Sequence, residues 1–223
     1  MEDHPNSLLV RITDFLHASY TALGGLIGTA PTHHIVMENV LYGKEADSKS
    51  EGWETYDLKP PDYFFPERDI PIVRNVVPDS VQDRLIDTLE DRLRLTRAHR
   101  DELLDILSKD TRMLQEANAV DYSLFLVRYP SPEGSDRRIP SLDSKSTRFR
   151  TGITSTDGRW VYRMVLLDFF WAKHKLQAKV MTRLVNAFNV VGRKGPMSIT
   201  TSPDEYRKRF LEMVEGYIEV EEG

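Results

Sequence analysis

The chain has 223 residues, 40% hydrophobic and 29% charged, with a net charge of −5, a composition that suits one large soluble domain or a domain of two lobes. The acidic balance gives no bulk attraction to nucleic acid or anionic lipid, so anion binding would need a local basic patch. The absence of cysteine excludes disulfides, thiolate metal sites and cysteine nucleophiles, and no apolar run is long enough to span a bilayer.

Residues 1–6 read as a frayed end, and Ser7 to Tyr20 is apolar with a mixed period, open to helix or strand. Leu23 to Pro31 reads as a Gly-containing turn before a short buried strand at His34 to Met37, which together predict a hairpin. Gly24-Gly25-Leu26-Ile27-Gly28 could be taken for a phosphate loop, but its place directly before a strand favours the turn. His33 and His34 are adjacent, so a strand would send them to opposite faces rather than to one metal. Gly43 to Gly52 is a polar loop, and Trp53 to Lys59 a strand stopped by Pro60-Pro61. Pro60 to Pro78 carries five prolines with Tyr63, Phe64 and Phe65, a rigid connector whose aromatics dock on the body.

From Ser80 the period becomes helical. Val81, Leu85, Ile86, Leu89 and Leu93 recur at spacings of three and four, and Leu103, Leu104, Ile106, Leu107, Met113 and Leu114 continue the pattern in one or two further segments. Asp121 to Tyr129 predicts a strand, Pro130 to Ser146 a mobile connection, and Trp160 to Leu167 another strand. Ala172 to Phe188 reads as an amphipathic helix with a basic polar side, followed by a loop to Thr201. The last helix has the clearest start: Ser202 as N-cap, Pro203 in the first turn and Glu205 to complete a capping box. Phe210, Met213, Val214 and Ile218 would line its apolar face. Strands come first, then helices, then a strand pair, so the class is α+β and not a doubly wound parallel sheet.

Two aspartates stand out. Asp121 opens one apolar strand and Asp168 closes another, so antiparallel pairing of the two would bring both carboxylates to one sheet edge. An aspartate at a strand mouth is ordinarily a solvated turn residue. Two at one edge could instead serve a metal–phosphate site, one of them orienting a nucleophile.

The ordered motifs resemble the phosphatidylinositol phosphate kinase family. His33 to Tyr42 resembles its last N-lobe strand and hinge. Tyr56-Asp57-Leu58-Lys59 resembles the start of its Asp-Leu-Lys-Gly-Ser motif. Asp110 to Leu124 resembles the approach to its Met-Asp-Tyr-Ser-Leu-Leu motif, and Leu166-Leu167-Asp168-Phe169 its Ile-Ile-Asp motif. Thr200 to Phe210, with Gly192-Arg193-Lys194 before it, is most similar to the type III phosphatidylinositol-3-phosphate 5-kinases.

The resemblance implies a truncated kinase fold of the SAICAR synthase-like type. It would be one catalytic domain over 1–223, with remnant N-lobe strands and hinge at 1–42 and a C-lobe at 43–223. The C-lobe would hold helices and an antiparallel strand pair. It implies ATP and Mg²⁺ as cofactors and a phosphoinositide lipid or an inositol phosphate as acceptor. Met37, Glu38 and Asn39 would contact adenine, and Asp57 and Lys59 would belong to the nucleotide site, with Lys59 on the phosphates. Asp121 would face the inositol hydroxyl and Asp168 would hold the metal. Lys173, Lys175, Arg193 and Lys194 would face the lipid headgroup and membrane, and basic residues of this kind are otherwise simply a solvated face. The expected location is cytoplasmic, peripheral on endosomal membrane.

Two departures accompany the resemblance. The family's Gly-rich strand pair, its nucleotide-binding lysine and its helical glutamate have no counterpart ahead of the hinge, so a protein partner supplying that lobe is one expectation. The family's Gly-Ser after Lys59 is replaced by Pro60-Pro61, and proline offers no N–H to a phosphate. A catalytically weak relative acting as a protein- or lipid-binding module is therefore the alternative expectation.

Overall fold

The computed structural model describes residues 5–17, 33–47, 50–60, 87, 89–131, 146–169 and 202–221. Its centre is a four-stranded antiparallel sheet, ordered β3 (Glu54–Leu58), β5 (Ser123–Pro130), β7 (Trp160–Leu167) and β6 (Ile153–Thr154). Strand alternation gives the sheet two apolar faces. Leu58, Leu124, Leu126, Tyr162, Met164 and Leu166 point into the main core. Trp53, Val127, Tyr129 and Val161 form a smaller cluster, covered by Val40, Leu41 and Phe125. The face-to-face ring stack of Trp53 on Tyr129, 4.2 Å between centroids, fixes the start of β3 against β5.

Helix α1 (Arg97–Glu116) and helix α3 (Pro203–Tyr217) close the main core. Thr96 caps α1 by accepting from the His99 N–H, and Leu103, Ile106, Leu107 and Leu114 form its buried stripe. Ser202 caps α3 by accepting from the Glu205 N–H at 3.2 Å. The Glu205 carboxylate turns to Arg209 Nε at 2.7 Å, which replaces the reciprocal half of the expected capping box with an i,i+4 ion pair. A short parallel pair, β4 (Leu93–Leu95) and β8 (Ile218–Val220), ties the approach to α1 to the exit of α3.

Several sequence expectations are corrected by this arrangement. Leu93 belongs to strand β4 and not to a helix, because its partner strand arrives from the far end of the chain. Residues 103–114 lie in one helix, with Met113 on its exposed side. Ile218 begins β8, one residue past the end of α3. The predicted hairpin forms, as β1 (Ile12–His17) against β2 (His33–Met37), but it is not buried. Phe15 is 59% exposed, and Ile35, Val36 and Met37 are also exposed. The hairpin is a two-stranded sheet of its own, and its described side chains lie outside the core. The expected connector with Tyr63, Phe64 and Phe65 and the loop over 132–145 lie outside the described residues, as does the basic helix from Ala172.

Helix α2 (Arg148–Thr151) carries the side chain that joins these parts. Arg150, 8% exposed, pairs with Glu38 at the exit of β2. It also donates to the Ser7 carbonyl at 2.7 Å and the Leu9 carbonyl at 2.8 Å. The segment it grips runs beside the end of β7, where Leu9 pairs in parallel with Leu166. The Leu8 N–H there donates to the buried Asp110 carboxylate on α1 at 2.6 Å.

Candidate active site

Register explains how three charged residues meet. In the ladder between β3 and β5, Leu58 lies opposite Leu124, so the next residue, Lys59, leaves β3 where β5 begins. In the ladder between β5 and β7, Ser123 lies opposite Leu167, so Asp121 just before β5 and Asp168 just after β7 fall at the same edge. The antiparallel pairing that the two apolar runs suggested is therefore present.

The side chains converge as well as the backbones. The Lys59 ammonium lies 3.1 Å from Asp121 Oδ1 and 3.4 Å from Asp168 Oδ2. Exposure grades outward from the sheet, at 15% for the Lys59 side chain, 29% for Asp121 and 59% for Asp168. Burial works to lower the Lys59 pKa, but Asp121, Asp168 and Asp57 together outweigh it, and the ammonium is held above its ordinary value. Burial likewise pushes the Asp121 carboxyl above the usual carboxylate value. Lys59 opposes that rise, while the charges of Asp168 and Asp57 reinforce it. A carboxylate with a raised proton affinity, poised by one lysine, suits accepting or orienting a hydroxyl proton.

Both aspartates adopt left-handed backbone, φ 68° at Asp121 and 61° at Asp168. This conformation costs an ordinary L-residue about 1–2 kcal/mol, with Asp and Asn tolerating it better than most. Asn118, with φ 55°, adds a third such residue in the turn between α1 and β5. Among described non-glycine residues these three alone have positive φ, and two of them carry the site. Backbone strain of this kind collects at functional positions.

Asp57 lies two residues before Lys59 on β3, hence on the same face. Its N–H donates to the Asp87 carboxylate at 2.7 Å, and its own Oδ1 is buried with no hydrogen-bond partner among the described residues. The residues expected to contact adenine sit elsewhere. Met37 ends β2 and is exposed, Asn39 accepts from the Leu41 N–H at 3.0 Å, and Glu38 is committed to Arg150 and to the Arg11 N–H at 2.9 Å. Lys173, Lys175, Arg193 and Lys194 lie outside the described residues.

Two residues that bear on the site were not singled out from the sequence. Arg150 fixes Glu38, and nothing in its local sequence announces that. Tyr206 donates from its hydroxyl to the Tyr122 carbonyl at 2.5 Å, one residue past Asp121. Its spacing of four from Phe210 and eight from Val214 was the available signal that it shares their buried face.

The donor set suits Mg²⁺. Among the described residues no group of three or more His, Asp and Glu stands ready as a metal cage. Mg²⁺ needs none, binding through one or two hard carboxylate oxygens with substrate phosphates and water. Asp168, the most exposed acid of the three, offers such an oxygen.

A mixed α+β chain with antiparallel sheets, closing on one lysine and two carboxylates, is compatible with a kinase-like fold. The sequence matches the family model described as Phosphatidylinositol-4-phosphate 5-Kinase over residues 1–148 and 131–217. The chain belongs to the phosphatidylinositol phosphate kinase family. No curated protein matches it.

Proposed function

We propose that this protein is a phosphoinositide kinase that transfers the γ-phosphate of ATP to an inositol headgroup hydroxyl. The observation that carries the reading is the meeting of Lys59, Asp121 and Asp168 at one sheet edge. Asp121 orients the acceptor hydroxyl and takes up its proton, a role its raised proton affinity favours. Lys59 places positive charge on the transferring phosphate, and Asp168 holds the metal. Mg²⁺, when bound, neutralises charge developing on the phosphate oxygens. Asp57, on the Lys59 face of β3, supports the nucleotide end of the site, and Met37, Glu38 and Asn39 meet the adenine. Within the family, the Gly192-Arg193-Lys194 and Thr200 to Phe210 segments favour phosphatidylinositol 3-phosphate as acceptor. Lys173, Lys175, Arg193 and Lys194 would then meet the headgroup on a cytoplasmic, endosomal membrane surface.

The test is transfer of labelled phosphate from ATP to a panel of phosphatidylinositol phosphates in vesicles and of soluble inositol phosphates. Activity should fall at least about 100-fold in Asp168→Asn, the scale of losing one preorganised electrostatic contact. No transfer above that variant on any acceptor would refute the reading.

A second reading, a binding module without catalysis, is favoured by Pro60. This buried residue directly after Lys59 has no N–H to offer where the family has glycine. Calorimetry with Mg²⁺ and ATP separates the two. Micromolar nucleotide affinity that Lys59→Ala abolishes supports the kinase, and phosphoinositide binding without nucleotide binding supports the module.

A further inference from the structure

We propose that Tyr206, on the C-terminal helix, is a positioning residue for Asp121. The inference rests on the phosphotransferase reading of Asp121 given above. Asp121 is held in left-handed backbone, and something must keep it there against relaxation to the ordinary right-handed basin. Its neighbour Tyr122 is gripped from two sides. The Tyr206 hydroxyl fixes the Tyr122 carbonyl at 2.5 Å, and the Tyr206 and Phe210 rings meet the Tyr122 ring edge-on at 4.7 and 5.0 Å. All three aromatics are fully buried, so the carbonyl has no water to turn to if the hydroxyl is removed. Helix α3 is itself anchored, by the Ser202 cap at its start and by Arg207 on the Ser108 carbonyl and hydroxyl of α1 at 3.1 and 2.9 Å. The hydroxyl is thus the end of a rigid strut. It sets the Tyr122–Ser123 peptide, one residue past Asp121, and through Tyr122 the aim of the carboxylate at Lys59.

The test compares Tyr206→Phe with Val214→Ala. The latter removes buried volume from the same helix and leaves the hydroxyl in place. The primary readout needs no catalysis. It is the NMR signal of the Lys59 ammonium, assigned by its loss in Lys59→Met, together with amide hydrogen exchange over residues 119–123. Tyr206→Phe should move the Lys59 signal toward its position in Asp121→Asn and speed exchange over 119–123 at least about tenfold, with β7 unchanged. Val214→Ala should do neither. In the transfer assay, kcat of Tyr206→Phe should fall about tenfold with the KM for ATP unchanged. A wild-type Lys59 signal in Tyr206→Phe overturns the proposal, as does an equal shift in Val214→Ala, which would mark a general loosening. A wild type that transfers no phosphate refutes the kinase reading alone, because the Lys59 signal still decides whether Tyr206 positions Asp121.

Discussion

Replacing Lys59 by methionine removes the ammonium while keeping most of the side-chain volume. Two carboxylates then face each other at a partly buried edge without their shared cation. Fully exposed pairs are worth about 0–1 kcal/mol, and removing one member of a buried pair costs about 3–5 kcal/mol. The pair with Asp168, 59% exposed, belongs to the first regime, and the pair with Asp121, at 15% and 29% exposure, lies between them. A loss of about 1.5–3 kcal/mol at pH 8 follows. Its pH dependence is the sharper test. Burial already raises Asp121, and Lys59 is what restrains the rise, so the variant's Asp121 titrates higher still. A carboxyl whose pKa is raised in the folded state binds a proton there before the unfolded chain does, and folding gains stability as pH falls through the folded pKa. The difference between Lys59→Met and wild type should therefore shrink steadily from pH 8 to pH 5. Urea unfolding at both pH values measures it, and adding Asp121→Asn to Lys59→Met should restore part of the loss at pH 8. A difference that is the same at pH 8 and pH 5, with no restoration in the double variant, would refute the electrostatic account of this edge.

Arg150→Met should cost about 3 kcal/mol in urea unfolding, because it strands Glu38 and two backbone carbonyls in a buried clasp, and amide exchange at Leu9 and Val10 should accelerate. Gly152→Ala should lower the melting temperature, since φ is 129° there and a Cβ would meet Val161 Cγ1 at 3.0 Å and the Tyr129 hydroxyl at 3.2 Å, a combined cost of about 1–3 kcal/mol. At position 168, Asn and Gly should leave the fold about 1 kcal/mol more stable than Ala, because only they tolerate left-handed backbone readily, although all three should abolish transfer. Equal stability of the three variants would show that the backbone there is not strained.

The edge itself was legible because register is a local consequence of pattern. The apolar runs ending at Leu58, beginning at Ser123 and ending at Leu167 pair antiparallel, and their flanking residues must then coincide. The start of α3 was equally readable, since Ser202 and Pro203 act within one helical turn. What could not be read depends on residues far apart in sequence. Leu93 continued a spacing of four from Leu89 and so imitated a helix, yet β4 exists only because β8 lies beside it. His34 to Met37 looked buried on composition alone, but a hairpin that forms a sheet separate from the central one leaves those side chains exposed. Arg150 and Tyr206 act on residues 112 and 84 positions away, a relation that no local period encodes.

Departures from ordinary backbone conformation are gathered near where the chemistry is proposed. Helices α1 and α3 are capped, and the central strands alternate cleanly between two apolar faces. Against that background, Asp121 and Asp168 take left-handed backbone, Asp57 buries an oxygen without a partner among the described residues, and three acids crowd one lysine. Each is a cost that the local rules of folding alone do not ask for. Tyr122, locked between Tyr206 and Phe210, supplies the rigidity that lets the edge hold such a conformation. Strain and its support lie on adjacent residues, 121 and 122, so selection for the carboxylate and selection for the core meet at one peptide bond.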